Sequence, residues 1–220
     1  MKAILFDLDG TILDTRDLIL ISMQNAYLQV IGAETLPSDD ELLSMVGIPL
    51  RDQMERLSPE HSEELFEAYL AYNAKVQDSM LKGFCGTAVT LTALKEFGYR
   101  LAVVTSKRHA PALHGLEQTG LAEYFELVLG ADNTIEHKPK PGPLLDAARL
   151  MGLEVSECAY VGDSPYDMLS ARAAGMYAVG ALWGMFTQET LLDAGAEVLI
   201  SHISELPEVL IKYPDCQSDY

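Results

Sequence analysis

Six short, continuous apolar runs constrain the fold of this chain more than any other feature of its sequence. They lie at residues 3–7, 101–106, 126–131, 158–163, 177–182 and 197–200. Continuous rather than alternating apolarity is typical of strands buried on both faces, as in a parallel sheet. Helical patterns lie between the runs, and three of them end before Gly98, Gly152 and Gly175. This alternation predicts an α/β, doubly wound (Rossmann-like) parallel sheet core.

The stretch from residue 15 to residue 81 departs from this alternation. Apolar residues repeat there at helical spacing, around 20–30 and again around 65–76, with no strand pattern between them. We therefore predict a small helical cap domain over 15–81, inserted after the first strand. The α/β core domain is then discontinuous, comprising 1–14 and 82–213, and residues 214–220 are predicted to be a flexible tail.

Charge and cysteine content exclude several classes of function. The chain has 33 acidic and 15 basic residues, a net charge of −18, which disfavours nucleic acid or an anionic membrane as a partner. The apolar stretch before Asp7 is too short for a signal peptide, and no run approaches the ~20 apolar residues of a membrane span. Cys85, Cys158 and Cys216 form no Cys-x-x-Cys pair, which argues against a disulfide framework or structural zinc. We expect a cytoplasmic protein.

Polar residues follow several of the predicted strands at the edge where parallel sheets bind ligands. The first strand leads into Asp7 and Asp9, the second into Thr105 and Ser106, and the fourth into Asp163, with Asp167 four residues later. The segment EHKPKPGP, at 136–143, adds Lys138 and Lys140 among prolines that forbid a helix.

The grouping of these acids indicates a metal-assisted reaction on a phosphate. Crowded carboxylates repel one another unless a cation neutralises them. A few carboxylates together with a substrate phosphate are the usual ligands of Mg²⁺ in proteins. No His or Cys takes part in the pattern, which argues against zinc.

Four motifs resemble those of the haloacid dehalogenase superfamily. They are DLDGT at 7–11, the apolar run ending in Thr105, KPKP at 138–141 and GDSPYD at 162–167. They occur in the order of that superfamily and cover the whole predicted core, and the helical insertion is similar to its first-type cap. Within the superfamily, the chain resembles phosphoglycolate phosphatases and the related inorganic pyrophosphatases.

The resemblance implies roles for the acids. Asp7 would be the nucleophile that forms an aspartyl phosphate, and Asp9 would be the general acid and then the general base. Mg²⁺ would be held by Asp7, Asp163 and the backbone carbonyl of Asp9, with Asp167 acting through water. The alternative for Asp167 is a helix N-terminal acid favoured by the helix dipole.

The resemblance also implies which residues bind the phosphate. Thr105 would donate a hydrogen bond to it, helped by the backbone amide of Ser106 at a helix start. Lys138 would pair with Asp7 and the phosphate and stabilise developing charge. Lys140 is interpreted as a solvated loop charge.

Residues that could choose the substrate are harder to identify. In the cap, Arg51 could grip a carboxylate or a second phosphate, or could be an ordinary solvated arginine. Lys107, Arg108 and His109 are further candidates for substrate contact or are surface residues.

The predicted function is Mg²⁺-dependent hydrolysis of a small phosphate monoester through an aspartyl-phosphate intermediate. Phosphoglycolate is the first substrate that the resemblance suggests. The alternatives are an inorganic pyrophosphatase, a sugar phosphomutase and a catalytically idle binding domain on the same fold. We expect a small phosphorylated metabolite as partner and a monomer or homodimer.

Overall fold

The computed structural model describes residues 1–212, so the predicted tail and Cys216 lie outside the described residues. The strands are β1 Ala3–Phe6, β2 Arg100–Val104, β3 Leu127–Leu129, β4 Cys158–Gly162, β5 Tyr177–Ala181 and β6 Val198–Ile200. The helices are α1 Arg16–Val30, α2 Asp39–Leu43, α3 Leu50–Leu57, α4 Ser62–Met80, α5 Thr87–Glu96, α6 His109–Gln118, α7 Gly142–Met151, α8 Pro165–Ala174, α9 Gln188–Asp193 and α10 Leu206–Lys212.

The strands form one parallel sheet in the order β3-β2-β1-β4-β5-β6. β1 is paired with β2 on one side and with β4 on the other. The strand order therefore reverses at β1, and ligands bind at such a switch point in open α/β sheets. The six predicted strands and the predicted α/β class are confirmed.

Each face of the sheet is covered by helices, which explains the continuous apolar runs. In β1, Ile4 and Phe6 belong to the cluster on one face, and Ala3 and Leu5 belong to the cluster on the other. All four side chains are fully buried. A strand buried on both faces needs apolar residues at consecutive positions, because neighbouring side chains point to opposite sides.

Helices α1 to α4 lie between β1 and α5 and have an apolar cluster of their own. Its buried members fall between Ile19 and Tyr69. The chain leaves the core and returns to it through two adjacent segments, with Asp14 N–H donating to Lys82 O at 2.9 Å and Phe84 N–H donating to Ile12 O at 3.3 Å. We call residues 15–81 the cap segment, and its limits as a domain stay a prediction.

The loop between α2 and α3 brings the cap segment onto the tips of the strands. The Ser106 hydroxyl donates to Gly47 O at 2.6 Å, and Arg56 donates to the Tyr166 hydroxyl at 2.9 Å. A Cβ on Gly47 would lie 2.8 Å from both Ser164 Oγ and Tyr166 Cδ2. Glycine at position 47 thus permits this close approach of the loop to the core.

Three smaller findings complete the fold. α7 begins at Gly142, so the end of the EHKPKPGP segment is helical, because the first turn of a helix tolerates the proline at position 143. Cys85 is exposed and Cys158 is buried, and neither is in a disulfide. Within residues 1–212, none of the helices has the length and apolarity that crossing a bilayer requires.

Candidate active site

Three polar residues directly follow the central strands. Asp7 follows β1, Thr105 follows β2 and Asp163 follows β4. The sheet hydrogen bonds extend to the first two, since Asp7 N–H donates to Val161 O at 2.8 Å and Thr105 N–H donates to Leu129 O at 2.9 Å. The backbone at the sheet edge therefore fixes where these side chains begin.

Lys138 connects two of the carboxylates at this edge. Its Nζ donates to Asp7 Oδ1 at 2.8 Å and to Asp167 Oδ1 at 2.6 Å. The Lys138 side chain is 1% exposed, whereas that of Lys140 is 68% exposed and pairs with Glu136 at 3.7 Å. Burial disfavours the charged amine of Lys138, but Asp167 and Asp7 together raise its pKa, so the amine stays protonated.

Tyr160, within β4, forms a hydrogen bond with Lys138. Its hydroxyl accepts from Lys138 Nζ at 2.9 Å and donates to Val104 O at 2.8 Å. The same hydroxyl lies 3.1 Å from Asp167 Oδ1. Burial, together with the nearby Asp167 and Asp7, raises the pKa of the phenol, which stays neutral and keeps its proton for the carbonyl.

Asp167 occupies the third position of α8 and is held by the cap of that helix. Its Oδ2 accepts from Ser164 N–H at 3.0 Å and from the Ser164 hydroxyl at 2.6 Å. Asp167 N–H donates back to Ser164 Oγ at 3.3 Å, which completes a capping box. Asp167 is therefore both a helix N-terminal acid and the partner of Lys138.

Asp163 is oriented by two donors from different parts of the chain. The Thr11 hydroxyl donates to its Oδ1 at 3.0 Å, and Met185 N–H donates to its Oδ2 at 2.8 Å. Gly10 has a φ of 80°, and a Cβ there would lie 2.3 Å from Asp163 Oδ2. The glycine of DLDGT therefore serves both the turn and the close approach of the Asp163 carboxylate.

The buried acids fit a divalent cation bound by oxygen ligands. Asp7, Asp163 and Asp167 are buried, and each offers a carboxylate oxygen within 4.8 Å of the other two. Burial raises the pKa of Asp7 to about 7 despite the lowering effect of Lys138, and burial and the neighbouring carboxylates raise the pKa of Asp163 well above its usual range. One lysine among three acids leaves negative charge that a bound cation would neutralise.

Asp9 lies at the mouth of the site and is paired with Lys107. Lys107 Nζ lies 2.8 Å from each oxygen of the Asp9 carboxylate. Both side chains are partly buried, with exposed fractions of 20% for Lys107 and 14% for Asp9. This ion pair fixes the position of the Asp9 carboxylate.

Ser106 is not at the start of a helix, and this expectation from the sequence is wrong. α6 begins at His109, and its N-cap is Arg108 in an extended conformation. Between the strand and the helix, Lys107 N–H donates to Thr105 Oγ1 at 3.2 Å. The Thr105 hydroxyl thus lies beside a turn rather than beside the first turn of a helix.

The remaining candidates are Arg51, Arg108 and His109, and each has a partner close to it. Arg51, on α3, pairs with Glu63, and its guanidinium lies 4.0 Å from the centre of the Phe66 ring. Arg108 lies 3.6 Å from Asp132. His109 Nδ1 lies 3.1 Å from Val128 O. The backbone N–H of His109 donates to Asp132 Oδ1 at 2.6 Å.

Two of these relations escape prediction from sequence. Tyr160 lies in the apolar strand pattern CAYVG at 158–162. The one sequence signal for its role in the site is a phenol hydroxyl among apolar residues. The pairing of Lys107 with Asp9 joins residues 98 positions apart. Lys107 stands close behind the Thr105 motif, but nothing in the spacing selects its partner.

Comparison with known proteins places the chain in a family. Residues 4–181 match the haloacid dehalogenase-like hydrolases. A protein of Caldanaerobacter subterraneus that carries the name PpaX is 36% identical over 210 residues, covering 96% of this chain and 94% of its own. The probable phosphatase IndB of Dickeya dadantii is 35% identical over 212 residues, covering 92% and 90%.

A solved structure supports the same fold. The crystal structure described as a predicted phosphoglycolate phosphatase from Haemophilus somnus aligns with a TM-score of 0.86 at 23% identity, covering 96% of this chain and 98% of that one. The chain therefore belongs to the haloacid dehalogenase-like hydrolases, and the resemblance seen in its four motifs is confirmed.

Proposed function

We propose that the protein is a Mg²⁺-dependent phosphohydrolase that works through an aspartyl phosphate on Asp7. The observation that carries the proposal is the Asp7 carboxylate itself. Its Oδ1 accepts from Lys138, whereas its Oδ2 accepts no hydrogen bond from any of the residues described. One oxygen is thus held in place and the other is available to attack phosphorus.

The chemistry follows as two displacements. Asp7 Oδ2 forms a bond to phosphorus as the bond from phosphorus to the leaving oxygen breaks, and Asp9 supplies the proton that the leaving oxygen needs. Water then attacks the phosphorus, Asp9 accepts a proton from it, and inorganic phosphate and free Asp7 result. In the first step the Lys107–Asp9 pair has to open so that Asp9 can carry a proton.

Asp7, Asp163 and Asp167, with the Asp9 carbonyl, are the residues that would hold Mg²⁺. When bound, the ion would offset the charge of the carboxylates and of the phosphoryl oxygens. Lys138 and the Thr105 hydroxyl would add their donors to the same phosphoryl group. Asp167 already accepts hydrogen bonds at both oxygens, which supports a contact with the ion through water.

A phosphate monoester is the proposed substrate class, and inorganic pyrophosphate is the second candidate. The second is favoured by a relative from Bacillus pumilus, which is named pyrophosphatase PpaX and is 30% identical over 206 residues. Phosphoglycolate stays a prediction that rests on the family resemblance.

The test is release of phosphate from a set of monoesters and pyrophosphate in the presence of Mg²⁺. We expect Asp7→Asn to lower turnover by at least about 1,000-fold, and excess EDTA to stop it. Asp146→Asn is the matched control, because Asp146 is a surface acid paired with Arg149 on α7. Comparable turnover by Asp7→Asn and Asp146→Asn would refute the proposal.

A further inference from the structure

A cavity of about 490 Å³ lies between the cap segment and the strand tips. It reaches Asp7 and Asp9 on the core side, so it is the space into which a leaving group would extend. Cavities of roughly 300–1,000 Å³ suit drug-sized ligands, which are much larger than pyrophosphate or phosphoglycolate. The size of this leaving-group cavity therefore raises the question of what fills it.

The cap side of the leaving-group cavity is mostly apolar. Six of its lining residues there are Ile19, Val46, Ile48, Phe66, Tyr69 and Leu70. Burial and the nearby Asp9 carboxylate raise the pKa of the Tyr69 phenol, which therefore stays neutral. Such a wall stabilises an apolar or aromatic group by removing it from water, and it offers no compensation for the desolvation of an anion.

The lysine and arginine side chains of the cavity wall already have acidic partners. Arg51 pairs with Glu63, and Lys107 pairs with Asp9 at 2.8 Å. Arg108 lies 3.6 Å from Asp132. A leaving group that carried a second phosphate or a carboxylate would have to compete with an existing ion pair at Arg51 or Arg108. Only Lys107 is released, when its pair with Asp9 opens for the reaction.

One buried acceptor in the wall has no donor. Gln53 is 7% exposed, and its Nε2 donates to Ile48 O at 2.7 Å. That bond fixes the orientation of the amide, and Oε1 accepts no hydrogen bond within residues 1–212. A buried acceptor without a partner is costly. Because Oε1 is closed to solvent, an O–H or N–H of a ligand satisfies it only after the Gln53 side chain moves towards the cavity. A phosphate dianion or a carboxylate has no proton to donate.

On the basis of the proposed function, we propose that the substrate is the phosphate monoester of a neutral, ring-bearing alcohol with an O–H or N–H donor. Nucleoside 5′-monophosphates and hydroxyaryl phosphates have this chemistry. The ring packs on the apolar wall formed by Phe66 and its neighbours, and the donor pairs with Gln53 Oε1 once that side chain opens to the cavity. The leaving groups of pyrophosphate and phosphoglycolate have no ring and are negatively charged.

The experiment compares kcat/KM for four substrates with Mg²⁺, namely uridine 5′-monophosphate, 4-hydroxyphenyl phosphate, phosphoglycolate and pyrophosphate. We expect the two ring-bearing esters to exceed the two compounds with anionic leaving groups by at least about tenfold, a factor that one hydrogen bond to a buried acceptor can supply.

A pair of variants separates charge from intrinsic reactivity. Leu70 is half-buried on α4 and lines the cavity, so Leu70→Lys adds a positive charge to its wall. We expect Leu70→Lys to shift the ratio of kcat/KM values towards pyrophosphate and phosphoglycolate by about tenfold relative to Leu70→Gln, which is matched in polarity but neutral. The comparison cancels the different reactivities of the leaving groups.

The outcomes are distinguishable. Faster Asp7-dependent hydrolysis of pyrophosphate or phosphoglycolate than of the esters would overturn this inference and leave the proposed function intact. An unchanged ratio between Leu70→Lys and Leu70→Gln would contradict the electrostatic argument. Release of phosphate from none of the four, with no phosphorylated protein, would refute the proposed function and the inference with it.

Discussion

At the scale of single residues, the site is organised around the Lys138 ammonium. It donates to two carboxylates and to the Tyr160 hydroxyl, all inside the protein. A buried lysine in this position is costly unless its donors are satisfied. The Tyr160 hydroxyl accepts a hydrogen bond from one of these donors. It thereby helps to keep the ammonium pointed towards Asp7.

Tyr160→Phe tests whether the phenol positions Lys138. Removing the hydroxyl leaves Val104 O with only the longer hydrogen bond from Lys138 Nζ at 3.4 Å, so we expect a loss of about 1–2 kcal/mol in the free energy of unfolding. We also expect kcat to fall by about tenfold, with a smaller change in KM, because Lys138 donates to the phosphoryl group in the proposed reaction. Steady-state kinetics and urea denaturation measure the two effects.

The matched control is Tyr27→Phe, in the cap segment. Its hydroxyl forms a hydrogen bond to Thr35 Oγ1 at 2.9 Å and is remote from the carboxylate cluster. We expect Tyr27→Phe to lower stability without an effect on kcat. An equal fall in kcat in the two variants would show that Tyr160 has only a structural role.

At the scale of elements, α8 couples helix capping to the carboxylate cluster. Ser164 caps the helix and also donates twice to Asp167 Oδ2. α2 carries the same capping box, formed by Ser38 and Glu41, at a distance from the site. The two helices therefore allow one substitution to be compared in two settings.

Ser164→Ala and Ser38→Ala each remove an N-cap, so we expect each to lower the free energy of unfolding by about 1 kcal/mol. Only Ser164→Ala removes a hydrogen bond from the Asp167 carboxylate, which keeps those from Lys138 and from the backbone N–H at position 164. We expect this variant alone to weaken Mg²⁺ binding and turnover. Isothermal titration with Mg²⁺, beside denaturation curves, measures both effects. Equal Mg²⁺ affinity in the two variants would show that the α8 cap does not contribute to Mg²⁺ binding.

At the scale of the whole molecule, the buried acids link stability to pH and, in the proposed function, to the binding of Mg²⁺. The pKa of Asp7 is raised from 3.8 to about 7 by burial. Between these values the folded chain holds a proton that the unfolded chain has lost, so the contribution of Asp7 to stability falls as pH rises. Bound Mg²⁺ requires the ionised carboxylate and replaces that proton.

The increase in Tm caused by Mg²⁺ should therefore grow as pH rises through about 7. Thermal unfolding with Mg²⁺ and with EDTA, at a series of pH values, gives this increment directly. Asp7→Asn removes a titrating group and should flatten the dependence. An increment that is constant across the whole series would contradict a metal site at these acids.

The local sequence pattern is sufficient to predict the sheet and the positions of Asp7, Thr105 and Asp163 at its edge. A strand buried on both faces leaves a continuous apolar run, and the residue after it is fixed at the sheet edge. The prediction that a helix starts at Ser106 is wrong, because the start of α6, at His109, depends on the turn after β2. Tyr160 and the Lys107–Asp9 pair depend on contacts between distant segments, which spacing along the chain does not encode.

The most direct test of the account is to trap the phosphorylated protein. The protein is mixed with a 32P-labelled monoester and Mg²⁺, quenched in acid within one turnover and digested. We predict label on the peptide that contains Asp7, released by hydroxylamine as an acyl phosphate is, and more of it in Asp9→Asn, where hydrolysis of the intermediate is slowed. Turnover of the ester with no label on that peptide, in either form of the protein, would contradict the central claim.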